Sequence, residues 1–314
     1  MNPETQRIYE RLILEHNLVT PDQLAAAQRL QTESGAGRKQ PKTLLEILTR
    51  QSWGDRAKLR DMAHLAAIRS GAERISLGGF ELLEKIGQGG MGAVYRASQV
   101  NMGRFVALKL MRPKLARDKR YLERFLREAR ASAKLSHPNI VEGIDAGQDK
   151  GYYYFAMEFV DGDSLRRIID REGPLPEQRC IEIGIEMARA LEHAAKFGMV
   201  HRDVKPENIL IEYDTGVAKL ADLGLVKSSA PADMSVTQMG VALGTPNYIS
   251  PEQAKGEEST DIRSDIYSLG ATLYHAATGT LPFDGNMAAV VLSQHLSAPL
   301  DPPQQRNPEL SIRF

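Results

Sequence analysis

The chain has 314 residues, 25% of them charged and 42% hydrophobic, which suits a soluble globular protein with room for more than one folded unit. Lysines plus arginines and aspartates plus glutamates both number 40, so the formal net charge is zero and gives no reason to expect nucleic acid or an anionic membrane as partner. The single cysteine, Cys180, rules out an intrachain disulfide and fits a reducing compartment.

No apolar run approaches the roughly 18 residues of a membrane helix, and the N-terminus lacks a signal-peptide pattern. The expected location is therefore the cytoplasm, with a membrane anchor beyond Phe314 left open for a longer form. Residues 1–75 read as short helices forming a small all-α module. Thr20-Pro21-Asp22-Gln23 predicts a helix start, with Thr20 as N-cap, and Leu24, Ala27 and Leu30 then share a face. Ser34-Gly35-Ala36-Gly37 ends that helix. Leu44, Leu45 and Leu48 mark another, and Leu59, Met62, Leu65, Ala66 and Ile68 a fourth, capped by Asp55. Segments 17–24 and 52–59 read as a degenerate repeat of period about 35. A docking or spacer role, facing a partner protein, suits such a module.

From Phe80 the texture changes. Strands are expected over 80–85, 93–99 and 104–111, a helix over 121–135, and strands over 140–145 and 152–158. After Gly162 the chain turns helical, with an apolar stripe through Ile181, Ile185, Ala188 and Leu191; Cys180 beside it reads as a buried structural thiol. Strands first and helices later predict an α+β domain over 76–314, with a β-rich lobe over about 80–157 and a helical lobe over about 162–314.

The chemistry-bearing motifs follow in order. Ile86-Gly87-Gln88-Gly89-Gly90-Met91-Gly92-Ala93-Val94 is glycine-rich, and glycines let backbone N–H groups approach phosphate oxygens. A dinucleotide-binding glycine loop opens a helix; this one runs into a strand, so it reads as a hairpin lid, and no P-loop motif is present. Lys109, on the strand Val106-Ala107-Leu108-Lys109, could contact α- and β-phosphates if a carboxylate held it, and Glu128 on the next helix is the candidate. His137 reads as a local structural residue. The extended piece Met157-Glu158-Phe159-Val160 offers backbone donors and acceptors to an adenine, with Val94, Ala107 and Leu210 as slot walls.

The densest motif is His201-Arg202-Asp203-Val204-Lys205-Pro206-Glu207-Asn208. Asp203 would accept or orient a substrate hydroxyl proton, Lys205 would offset charge on a γ-phosphate, and Asn208 would hold magnesium. His201 reads as scaffold, and Arg202 as a docking point for a phosphate on the following segment. Asp222, in Asp222-Leu223-Gly224, would be the second metal ligand, and Asp265 would brace the loop.

With Gly244-Thr245-Pro246-Asn247-Tyr248-Ile249-Ser250-Pro251-Glu252, these motifs make the chain from Phe80 onward resemble the bacterial, eukaryotic-like (Hanks-type) serine/threonine protein kinases. The resemblance implies a two-lobed kinase fold, ATP with Mg2+ or Mn2+, and transfer of the γ-phosphate to serine or threonine hydroxyls of protein substrates. It also implies autophosphorylation in the activation loop, for which Thr237 and Ser235 are candidates, and a kinase dimer as a partner state. A nucleotide-binding pseudokinase or signalling scaffold is the rival reading. Leu223 and Ser250 stand where the family has Phe and Ala. The family's helical lobe also continues beyond a point corresponding to Phe314 and supplies an arginine to the residue at Glu252. A truncated helical lobe, with Glu252 left without a partner, is therefore expected.

Overall fold

The computed structural model describes residues 3–35, 43–69, 75–90, 92–222, 246–257 and 260–314. The chain forms two compact units, one of Met1–Leu110 with Gln148–Tyr152, the other of Met111–Gly147 with Tyr153–Phe314.

The first unit begins with helices α1 (Pro3–Glu15), α2 (Pro21–Gly35), α3 (Leu44–Arg50) and α4 (Arg56–Arg69). Their core includes Tyr9, Leu12, Ile13, Leu24, Leu48 and Leu59, all buried. Thr20 caps α2 as expected: its hydroxyl accepts the Gln23 N–H at 3.2 Å, and the Gln23 side chain accepts the Thr20 N–H at 2.9 Å. Asp55 accepts the Lys58 N–H at 3.1 Å. The side chains of Leu65 and Ile68 lie outside the described residues.

The repeat is visible in the backbone. His16, Asn17 and Leu18 donate to Leu12, Leu14 and Ile13, while Gln51, Ser52 and Trp53 donate to Ile47, Thr49 and Leu48, each bond displaced by the same 35 positions. Asn17 and Ser52 both take a left-handed conformation, with φ of 50° and 56°. Each helix thus ends in the same turn before the next is capped.

Strands β1 (Ser76–Leu77), β2 (Phe80–Gln88), β3 (Gly92–Gln99) and β4 (Arg104–Met111) follow in this unit, with β1, β2 and β3 paired antiparallel in turn and β4 beside β3. The hairpin tip Gln148–Tyr152 belongs with them: Asp149 accepts the Gly78 N–H at 3.0 Å, and Lys150 donates to the Ser76 carbonyl at 2.7 Å.

The second unit contains α5 (Lys119–Ser132), most of β5 (Gly143–Asp149) and β6 (Tyr152–Glu158), then β7 (Gly162–Ser164), α6 (Leu165–Glu172), α7 (Glu177–Lys196), β8 (Ile209–Glu212), β9 (Ala218–Leu220), α8 (Pro251–Lys255), α9 (Ile262–Thr278), α10 (Ala288–Ser297) and α11 (Pro303–Arg306). The expected strand over 140–145 starts later, because Ile140 and Val141 turn their backbone to β9: Val141 donates to the Leu220 carbonyl at 3.0 Å. Strands β7, β8 and β9 form a small antiparallel sheet. A Cβ on Gly162 would lie 2.0 Å from the Ile211 carbonyl oxygen, so the closeness of β7 to β8 demands glycine there.

The stripe read along α7 is corrected. Ile181 and Ile185 are 41% and 47% exposed, and Ala188 is exposed too. The buried face is Cys180, Ile183, Met187, Ala190, Leu191 and Ala194, which keeps the helical period on another side. Both faces carry aliphatic residues, so periodicity alone does not choose between them. Cys180 is fully buried, and burial pushes its thiol up to about 11, the behaviour of a structural cysteine.

The end of the chain is seated on this unit. Leu310 joins the core, and the Ser311 N–H and hydroxyl donate to Glu177 at 2.6 and 2.7 Å, which holds the Glu177 carboxyl below the usual range. Among the described residues no helix is long and apolar enough to cross a membrane.

Candidate active site

In the first unit, the glycine segment is the turn between β2 and β3, closed by the Gly89 N–H donating to the Gly92 carbonyl at 2.9 Å. Gly87 pairs across the hairpin with Val94. Among the described residues, a Cβ added to Gly89 or Gly90 would meet nothing within 4 Å, and neither has a positive φ. Ile86 is 37% exposed and Met91 lies outside the described residues. On β4, Ala107 and Lys109 share one face of the strand, opposite buried Val106 and Leu108.

In the second unit, Glu128 sits on α5, only 7% exposed. Its helix starts earlier than expected because Asp118 caps it, accepting the Arg120 N–H at 3.0 Å. Glu128 and Asp222 line the same small cavity of about 10 Å³ with Met157 and Leu220, space for one water. The linker residue Val160 is buried, and Leu210 on β8 lies directly across from Lys219 on β9.

The loop 201–208 is a web of short bonds. Lys205 donates to the Asp203 carboxylate at 2.7 Å. The Asn208 side-chain amide donates to the Asp203 carbonyl at 2.8 Å and to its carboxylate at 3.2 Å. Both donations use Nδ2, which leaves the Asn208 amide oxygen as the atom available to a cation. Asp222 has φ of 49° and Arg202 φ of 64°, left-handed conformations that non-glycine residues keep only where neighbours enforce them.

The contacts that hold Arg202 are visible. The buried Asp265 carboxylate, on α9, accepts the His201 and Arg202 backbone N–H groups, both at 2.7 Å. Burial pushes the Asp265 carboxyl up, while His201 and these N–H bonds pull it down; the balance is upward. Gln253 donates to the Arg202 carbonyl at 3.0 Å. His201 Nδ1 accepts the Asp203 N–H at 3.3 Å, so Nε2 carries the proton and donates to the Ala221 carbonyl at 3.1 Å. His201 is thus scaffold. The Ala221 N–H donates to the Asn208 carbonyl at 2.8 Å, which places the two metal-ligand candidates on segments joined directly by backbone.

His137 is also structural, its Nδ1 accepting the Asn139 N–H at 3.1 Å. Ser250 has a local reason to be serine: it is fully buried and forms a reciprocal capping box with Gln253 at the start of α8. The expected lone Glu252 is corrected, since the Ser264 hydroxyl donates to its carboxylate. Burial pushes the Glu252 carboxyl up, but hydrogen bonds from Ser264, its own backbone and Ser250 outweigh that and lower it. Leu223, Ser235, Thr237, Gly244 and Thr245 lie outside the described residues.

The Tyr248 hydroxyl, beside this segment, is hydrogen-bonded to His275 Nδ1 at 2.7 Å. Burial, reinforced by Arg166 and opposed by Asp170, holds the His275 pKa to about 4. A histidine kept neutral in the fold but free to protonate near 6.5 when unfolded contributes stability above that pH and loses it as pH falls toward 4. Urea unfolding is expected to show about 2 kcal/mol of stability lost from this group between pH 7 and pH 5. His275→Gln, which can still hydrogen-bond to Tyr248, should remove that share of the slope.

Comparison with known proteins fits this geometry. The family described as protein kinase domain matches residues 80–310. A probable serine/threonine-protein kinase of Clostridium perfringens is 42% identical over 228 residues, covering 73% of this chain and 33% of that protein. Serine/threonine-protein kinase pkn3 of Myxococcus xanthus is 41% identical over 233 residues, covering 72% and 42%. The crystal structure of the Mycobacterium tuberculosis PknI kinase domain aligns with a TM-score of 0.57 at 30% identity, covering 75% of this chain and 85% of that one. The chain belongs to the protein kinase family, in its bacterial Hanks-type serine/threonine branch, and has that family's α+β fold. It spans between about a third and two fifths of the length of these curated relatives.

Proposed function

We propose that this chain transfers the γ-phosphate of Mg-ATP to serine and threonine hydroxyls of protein substrates. The observation that carries the reading is the Asp203–Lys205–Asn208 cluster, held by Asp265 and joined by backbone to the segment bearing Asp222. Asp203 is the group to orient or accept the hydroxyl proton. Lys205, already ion-paired to it, is poised to offset charge on the transferring phosphate. Asn208 and Asp222 supply hard oxygen donors of the kind magnesium takes, and the side-chain donations from Asn208 leave its oxygen free for that purpose. Asn208 and Asp222 would hold that ion, whose charge would offset that of the phosphates. Glycines 87, 89, 90 and 92, with Lys109, are assigned to the phosphates and Glu128 to holding that lysine. The backbone of Glu158 and Val160, with Val94, Ala107 and Leu210, is assigned to the adenine.

The kinase domain in this reading occupies 76–314, and the helical module 1–75 is a docking or spacer element for a partner protein. Thr237 and Ser235 are the proposed autophosphorylation sites. Labelled-phosphate transfer from Mg-ATP to this chain and to a basic protein substrate tests the activity, with Asp203→Ala and Lys109→Met as controls. Transfer by the wild type alone supports the reading. Equal silence of all three with retained ATP binding would instead make the chain a nucleotide-binding scaffold. Phosphosite mapping of active protein tests Thr237.

A further inference from the structure

Glu158 was assigned above for its backbone, yet its side chain is committed elsewhere. One carboxylate oxygen accepts Lys219 Nζ at 2.6 Å, and the other accepts the Glu142 N–H at 3.3 Å. The Glu158 N–H in turn donates to the Glu142 carbonyl at 2.9 Å. The two charged side chains are 14% and 30% exposed, so water screens them less than a surface pair.

Lys219 is itself anchored on both sides along β9. The Ala218 N–H donates to Glu186 at 3.0 Å, and the Leu220 N–H donates to the Asn139 carbonyl at 2.8 Å. Lys219 pairs in register with Leu210, so the two side chains stand on one face of the sheet. Asp222 follows three residues later, after the bond from Ala221 to Asn208. The ion pair therefore ties the linker Met157–Val160 to the strand that leads into Asp222, beside the leucine assigned as a slot wall.

We infer that the Lys219–Glu158 ion pair is a positioning element of the nucleotide site, fixing the adenine-facing linker against β9. The inference rests on the kinase reading for the identity of the ligand. Neither side chain touches a reacting atom; the pair acts through the backbone of Glu158 and Val160. An adenine held by two or three backbone hydrogen bonds is sensitive to small shifts of that backbone.

The test is binding of adenosine and of Mg-ATP to the full chain by calorimetry, with phosphate transfer measured alongside. Lys219→Met should weaken both ligands by a similar factor, about 5- to 10-fold, because the shared part is the base. It should raise KM for ATP while leaving kcat within about 3-fold. Lys219→Arg, and the exchange Lys219→Glu with Glu158→Lys, should restore most of the affinity, with melting temperatures recorded for every variant. Unchanged adenosine affinity in a folded Lys219→Met chain overturns the inference, as does a fall in kcat at unchanged KM. A wild type that binds adenosine but transfers no phosphate sinks the kinase reading alone. A wild type that binds no adenine compound sinks both.

Discussion

Replacing Asp203 with asparagine is expected to lower kcat for the proposed phosphate transfer by about 10²–10⁴-fold, the range spanned by loss of a positioned general base. The variant keeps the size of the side chain and one carbonyl oxygen, so the donation from Asn208 persists. What disappears is the negative charge that pairs with Lys205 at 2.7 Å and that the proposed function assigns to orienting a hydroxyl proton. Asp203 is about one-third exposed, and its removal creates no buried cavity. Mg-ATP affinity should stay within a few-fold of wild type and the melting temperature should hardly move. Steady-state kinetics with labelled ATP, paired with calorimetric nucleotide binding, measure the two quantities separately. A variant that loses binding and transfer together would mean that Asp203 shapes the nucleotide site rather than the chemistry.

Asp265→Ala is expected to act the other way, on the fold first. It strands two backbone donors, the N–H groups of His201 and Arg202, each bonded at 2.7 Å to a carboxylate that is 1% exposed. An orphaned donor costs about 1–3 kcal/mol, so the pair should cost about 2–6 kcal/mol. That is a large part of a typical domain's stability. Arg202 also holds a left-handed backbone that these bonds enforce, and its release lets the loop relax. Urea unfolding followed by far-ultraviolet circular dichroism reads the loss. Asp265→Asn, with one acceptor oxygen, should lose roughly half as much. If Asp265→Ala unfolds at the wild-type midpoint, the loop is held by other contacts.

Much of this was legible in the sequence where function compresses several residue types into a fixed spacing. Asp203, Lys205 and Asn208 lie within six positions, and the loop brings them into one hydrogen-bonded cluster. The caps at Thr20 and Asp55 were equally readable, because their rules are local. What could not be read depends on contacts between distant segments. Lys219 looks like an ordinary strand charge until β9 is set beside Glu158, 61 positions away. Glu252 seemed stranded because its partner, Ser264, is a small hydroxyl with no charge to advertise it. The face of α7 was misjudged because Ile181 and Ile185 are as apolar as the residues that face the core. The first compact unit also gathers the tip Gln148–Tyr152 through bonds to Gly78 and Ser76, a junction no local pattern announces.

The loop's shape is held mainly by main-chain atoms: the amides of His201 and Arg202 on Asp265, the Arg202 carbonyl on Gln253, and the Asn208 carbonyl under Ala221. Such bonds survive most changes of the side chains to which the chemistry is assigned in the proposed function. In the proposed reading, one substitution at Asp203 in a duplicated copy of this gene would therefore remove activity and leave the fold. Selection could then retain it for what it holds rather than for what it does.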